Sequence, residues 1–152
     1  MPMPRLFHRF LLAALVLVPT FVAGCGGKAP QYPVTGTVKF QGKALVGCKV
    51  ILFPDVETVD AEKHGFGFGV TDAEGKFEVQ HPQGEKGIRS GRYKVAFMYW
   101  VDSKGNPVPF DTKPSEVPGG VKSLLDKKYE SPSSSPETID VPKGGTSKDF
   151  NL

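Results

Sequence analysis

At 152 residues, the chain has room for one domain built around one core. Apolar residues at 39%, charged residues at 23%, and as many as 18 Gly and 14 Pro suit a chain with frequent turns and favour β structure over helix. The formal charge of +3 includes Arg5 and Arg9 of the first segment. Without them, 17 basic residues of the 19 face 16 acidic ones, a balance that excludes a nucleic-acid footprint.

The first segment has the order of a secretory leader. Arg5, His8 and Arg9 form a positive region, and residues 10–18 (FLLAALVLV) are an uncharged apolar run of signal-peptide length, too short to span a bilayer. Val22-Ala23-Gly24-Cys25 follows. It resembles the bacterial lipobox, a hydrophobic residue and two small ones before a Cys whose thiol takes the diacylglyceryl group. Residues 1–24 are thus expected to be a lipoprotein signal peptide, with Cys25 the lipidation site and the membrane its first partner. Two or three acyl chains, each contributing about 0.8 kcal/mol per buried CH₂, hold a protein at a bilayer effectively permanently. The protein is therefore expected to be extracytoplasmic. In the sorting pattern this resembles, Asp after the Cys retains a lipoprotein at the inner membrane; here Gly26 stands there, which points to the outer one. Residues 25–33 lack apolar periodicity and read as a lipidated tether.

From residue 34 the chain reads as strands. Val34, Gly36, Val38 and Phe40 alternate with Thr35, Thr37 and Lys39, the period of a strand with one buried face. Gln41-Gly42-Lys43 turns the chain, and residues 46–53 (VGCKVILF) predict a second strand with Val46, Cys48, Val50 and Leu52 on one face, stopped by Pro54. Residues 66–70 predict a third. The glycines of Gly65-Phe66-Gly67-Phe68-Gly69 have no following helix to make a phosphate loop, so they are read as sites of close packing. Thr71-Asp72-Ala73-Glu74-Gly75-Lys76 reads as a hairpin turn closed by a positive-φ glycine, and not as a calcium loop, which needs further oxygen ligands.

Residues 91–100 (GRYKVAFMYW) are the strongest strand, with Tyr93, Val95, Phe97 and Tyr99 on one face and Lys94, Ala96, Met98 and Trp100 on the other. Strands over 138–141 and 147–152 complete a set of about seven, with Phe150 and Leu152 pinning the C-terminus into a sheet. Between them, residues 101–135 are rich in proline, with a helical turn or two expected over 122–129 and a flexible or extended Ser131-Pro132-Ser133-Ser134-Ser135-Pro136 stretch. A loop of that length in a compact domain is functional or disordered.

Together, Val34-x-Gly36-x-Val38, Gly42-Lys43-x-Leu45-x-Gly47-x-x-Val50, the Thr71 to Phe77 turn and Gly91-x-Tyr93-x-Val95 resemble the carboxypeptidase regulatory-like, transthyretin-like domain. With the lipobox, Lys128-Tyr129 and the Val141-x-x-Gly144 … Phe150-x-Leu152 ending, the chain is similar to small lipoproteins of planctomycete-type bacteria. The resemblance spans residues 32–152. It implies an all-β, seven-stranded, prealbumin-like β-sandwich over 34–152, generally an accessory module. Cys48 stands where such domains usually have Ala, and Arg89-Ser90 where a Pro is common. The related hydroxyisourate hydrolases end Tyr-Arg-Gly-Ser, whereas this chain ends Asp149-Phe150-Asn151-Leu152.

Chemistry-bearing residues are few. Cys48 alternates with apolar neighbours and reads as a small core residue, with no disulfide partner if Cys25 is acylated. His64 and His81 lie in loops flanked by Gly or Pro and read as solvated. Asp55, Glu57, Asp60 and Glu62 crowd one loop, where such spacing usually means solvation. No G-x-S-x-G, H-E-x-x-H or C-x-x-C pattern occurs. No catalytic set, cofactor or metal is therefore expected, and the domain is expected to have no enzymatic activity. Two roles remain: an interaction module with an envelope protein partner, or a carbohydrate-binding module whose aromatics, Tyr99, Trp100, Phe110 and Tyr129, stack on glycans. Burial of Trp100 against the long loop would remove the best residue of the second.

Overall fold

A computed structural model describes residues 29–60 and 63–152. The structure is all-β, with no α-helix among the described residues. Its first sheet is organised around β1 (Val34–Phe40), which pairs antiparallel with β2 (Lys43–Ala44) and β5 (Lys76–Glu78) and parallel with β11 (Thr146–Ser147) and β12 (Phe150–Asn151). The second sheet runs β10 (Thr138–Val141), β6 (Gly91–Met98), β3 (Lys49–Pro54), β4 (Gly67–Val70), antiparallel throughout.

One core lies between the two sheets. Val34, Val38, Phe77, Val79 and Phe150 from the first meet Val50, Leu52, Tyr93, Val95, Phe97 and Ile139 from the second, all of them buried. Phe97 stands edge-on to Phe150 with ring centres 5.0 Å apart and to Tyr129 at 6.3 Å, the geometry that aromatic quadrupoles favour. The alternation of β6 is thus realised as predicted: Tyr93, Val95, Phe97 and Tyr99 all face inward and are buried.

The alternating run over 46–53 behaves differently at its start. Val46 is 43% exposed while Cys48 is fully buried. Gly47 between them has φ +78, a left-handed turn that breaks the pleat, so the strand begins only at Lys49 and its inward set starts at Cys48. The expected strand over 147–152 is likewise two short pieces. Between β11 and β12 the Asp149 carboxylate accepts hydrogen bonds from the Thr37 amide and hydroxyl at 2.8 and 2.9 Å, so a side chain takes the place of a ladder partner. A Cβ at Gly36 would run into the Lys148 carbonyl, which explains why this position of β1 carries none. Phe150 is buried and Leu152 packs against the core, as anticipated.

The two sheets join at one corner, where Phe68 and Gln80 exchange backbone hydrogen bonds at 2.9 and 2.8 Å. There the glycines let the strands approach. A Cβ at Gly69 would lie 2.7 Å from the Glu78 carbonyl oxygen, and one at Gly67 2.6 Å from Val79. The turn after β4 is also as read: Asp72 Oδ1 accepts from the amides of Glu74 and Lys76, and Gly75 has φ +76.

The segment over 101–135, left open between functional and disordered, carries strands of its own. β7 (Trp100–Val101) pairs with β8 (Pro107–Val108) and β9 (Lys122–Ser123) in a third small sheet. The strand expected to reach Trp100 therefore ends at Met98, and the chain leaves for this sheet. Asp102 closes the β7–β8 turn by accepting from the amides of Lys104 and Asn106, both at 2.8 Å. Over the expected helical turns, only Lys127–Tyr129 is helical, a single 3₁₀ turn capped by Asp126. The serine-rich stretch is a hydrogen-bonded turn and not extended, with the Ser135 amide on the Ser131 carbonyl at 2.8 Å and the Ser135 hydroxyl on the Val95 carbonyl of β6.

Candidate functional site

Two loops and the entry of the tether converge on a pocket of about 250 Å³. Tyr32 exchanges backbone hydrogen bonds with Ile88 at 2.7 and 3.0 Å, which lays Gln31 beside the loop carrying Glu85 and Arg89. His64, whose amide is tied to the Asp60 carbonyl, and Phe66 add to the lining, and a tight turn in which the His81 amide donates to the Glu85 carbonyl at 2.7 Å supplies His81. These turns form because their backbone groups are satisfied locally: the amides of Lys63 and His64 both donate to the Asp60 carbonyl.

The imidazoles are held in one tautomer. His64 Nδ1 accepts from the Asp60 amide at 2.9 Å and His81 Nδ1 from the Gln83 amide at 3.3 Å. In a neutral imidazole only one nitrogen carries the proton, so both rings bear it on Nε2. A protonated nitrogen has no lone pair for a metal, and no group of three His, Cys, Asp or Glu side chains gathers among the described residues. Both histidines are therefore hydrogen-bond donors. Gln31 is fixed as well, because its Nε2 donates to Glu85 Oε2 at 2.9 Å and a carboxylate can only accept. That forces Gln31 Oε1 to the other side, where it is shut from solvent without a hydrogen-bond partner. An unpaired buried acceptor costs about 1–3 kcal/mol. Phe66 remains 37% exposed, braced edge-on by Phe53 at 5.8 Å.

The sequence had placed His64 and His81 in separate, solvated loops; the structure brings both to one pocket. Nothing in their spacing announces this. The only local sign is the turn chemistry around each ring.

Other sequence candidates separate. Cys25 and Glu62 lie outside the described residues. Cys48 is fully buried, and burial pushes its thiol up to about 12, which suits a core residue and not a nucleophile. Asp55 pairs with Arg92 at 3.3 Å and Asp60 with Lys63 at 3.2 Å, while Glu57 is exposed. The four aromatics proposed for glycan stacking form no common platform. Tyr99 is buried, Tyr129 packs on Phe97, and Phe110 lies 4.5 Å from Lys49 Nζ, which also lies 4.7 Å from the Phe68 ring. Trp100 is half-buried within β7. Beside Phe110, Val46 and Val70 are 43% and 37% exposed and line an apolar groove of about 260 Å³ with Pro107, Val108 and Pro109.

No family model and no curated protein matches the chain. Among solved structures, a 9R-lipoxygenase from Cyanothece PCC8801 matches at TM-score 0.35 and 20% identity, over 80% of this chain and 16% of that one. The chain thus spans about a sixth of that enzyme's length. The expectation of a domain without enzymatic activity is corrected on this point: the matched structure is that of an enzyme, and the exclusion of catalysis is withdrawn. A likeness at this TM-score assigns no activity in its place.

Proposed function

We propose that this protein is a lipid-anchored component of the bacterial cell envelope, in which acylated Cys25 and a short tether hold an interaction module at the membrane surface. In this reading, residues 1–24 are removed as a signal peptide and residues 34–152 are a carboxypeptidase regulatory-like, prealbumin-like β-sandwich of the planctomycete lipoprotein type. The observation that carries the proposal is the register of three signals: Arg5 and Arg9, the apolar run over 10–18, and Val22-Ala23-Gly24-Cys25.

The geometry of the domain supports the reading. Ala29 lies four positions after Cys25, so the pocket wall that Ala29 joins is within about 14 Å of the Cys25 α-carbon, the reach of an extended chain. No described helix is long and apolar enough to cross a membrane. The groove beside Phe110 leaves Val46 and Val70 partly exposed to water.

Growth of the native organism with an alkyne palmitate analogue tests the proposal. Wild-type protein is expected to take up the label and fractionate with membranes, and Cys25→Ser to lose both. Label retained by Cys25→Ser would overturn the assignment.

A further inference from the structure

We propose that the loop between β3 and β4 contacts the membrane, its apolar side chains Val56, Val59 and Phe66 entering the surface of a bilayer with neutral headgroups. This contact rests on the lipid anchor proposed at Cys25 and is the face of the domain that the anchor turns to the bilayer. Apolar exposure is concentrated in the loop. Of the six large apolar side chains that stand exposed among the described residues, Val56, Val59 and Phe66, at 42, 47 and 37%, belong to it.

The fold sets this loop at the tether end. β3 finishes at Pro54, opposite Tyr93 near the start of β6, and the Asp55 amide continues onto the Arg92 carbonyl at 2.9 Å. At the far side of the loop, Phe66 lines the same pocket as Ala29 of the tether. Ala29 is within about 14 Å of the Cys25 α-carbon. An acylated Cys25 sits at the bilayer surface, so a connection this short keeps the loop beside it. Val46, 43% exposed, precedes β3 and lies at its opposite end.

Charge selects the kind of surface. Asp55 pairs with Arg92 at 3.3 Å and Asp60 with Lys63 at 3.2 Å, while Glu57 is exposed. Glu85 and Arg89 add one charge of each sign on the pocket wall. Among the described residues, this end therefore has no surplus of cations, which is what draws a protein to anionic lipid. The driving force that remains is removal of apolar surface from water, which holds side chains such as Phe and Leu at a bilayer interface.

Full-length protein produced in the native organism is reconstituted in phosphatidylcholine vesicles with a nitroxide on Val59→Cys or on Val46→Cys, and immersion depth is read by electron paramagnetic resonance. Cys48 is fully buried and closed to the reagent. Intact mass reports the acyl chains of each variant, and circular dichroism its fold. The label at position 59 is expected about 5–10 Å into the boundary between headgroups and acyl chains, the depth of interfacial apolar side chains, and the label at position 46 in water. Adding phosphatidylglycerol is expected to leave position 59 no deeper. Acylated protein whose position 59 is as exposed to water as position 46, as it would be if the loop served a protein partner, overturns this inference alone. A depth that increases with phosphatidylglycerol overturns the choice of a neutral surface, and a mass without acyl chains overturns the anchor and this contact with it.

Discussion

The inward face of β6 and the pocket at the tether end are built on opposite terms. Along β6, Tyr93, Val95 and Phe97 are buried against two sheets, and the Tyr93 hydroxyl still finds the Arg89 carbonyl at 2.7 Å. At the pocket, two imidazoles accept backbone amides of their own turns through Nδ1 and Gln31 keeps a buried acceptor unpaired. The first arrangement spends every group on packing, whereas the second withholds some from it. Stability should therefore follow the β6 face and ligand chemistry the pocket, and substitutions can separate the two.

The largest effect is expected at Phe97. Truncating a buried Phe costs about 3–5 kcal/mol, comparable with the whole stability of a small domain, and Phe97 contacts Phe150 and Tyr129. Phe97→Ala should leave the protein largely unfolded in a urea melt; a stable variant would show that the inward face is misassigned. Next comes Gly36→Ala, whose methyl group would meet the Lys148 carbonyl. Such overpacking typically costs about 1–3 kcal/mol, and an unchanged melt would mean that the β11–β12 break can shift to accept it.

An alkaline titration sharpens the same contrast. Cys48 is raised from 9.0 to about 12 by burial, and burial also raises Tyr93 and Tyr99. Above pH 9 the unfolded chain releases the thiol proton while the native chain keeps it, so stability declines with rising pH toward 12. The thiol contributes at most about 1.4 kcal/mol per pH unit to that slope. Stability measured across this range should fall less steeply in Cys48→Ala than in wild type, and equal slopes would contradict the buried thiol. The smallest effect belongs to the pocket: His64→Ala and His81→Ala should each change stability by about 0.5 kcal/mol or less, and a loss of several times that would make these turns part of the core.

Much of the sheet framework was legible because its strands are long enough to show a period. Residues 34–40, 91–98 and 138–141 alternate cleanly, and the Asp72 and Gly75 positions announce their turn. Where local backbone geometry intervenes, the pattern misleads: Val46 keeps the right spacing, but the positive φ of Gly47 puts it on the outside. The small sheet of β7, β8 and β9 was hidden because two-residue strands have no period to read. So was the parallel pairing of β1 with β11 and β12, which depends on Asp149 reaching Thr37 across the fold. The pocket was invisible for a related reason, since Gln31, His64 and His81 meet only once the tether pairs with Ile88 and the two turns close.

Amide hydrogen exchange read by mass spectrometry tests the division between core and pocket most directly. The backbone of β3, β6 and β10 should exchange only through global unfolding, and peptides over 63–66 and 81–85 through much cheaper local opening. Exchange of β6 as fast as that of the histidine turns would contradict the account.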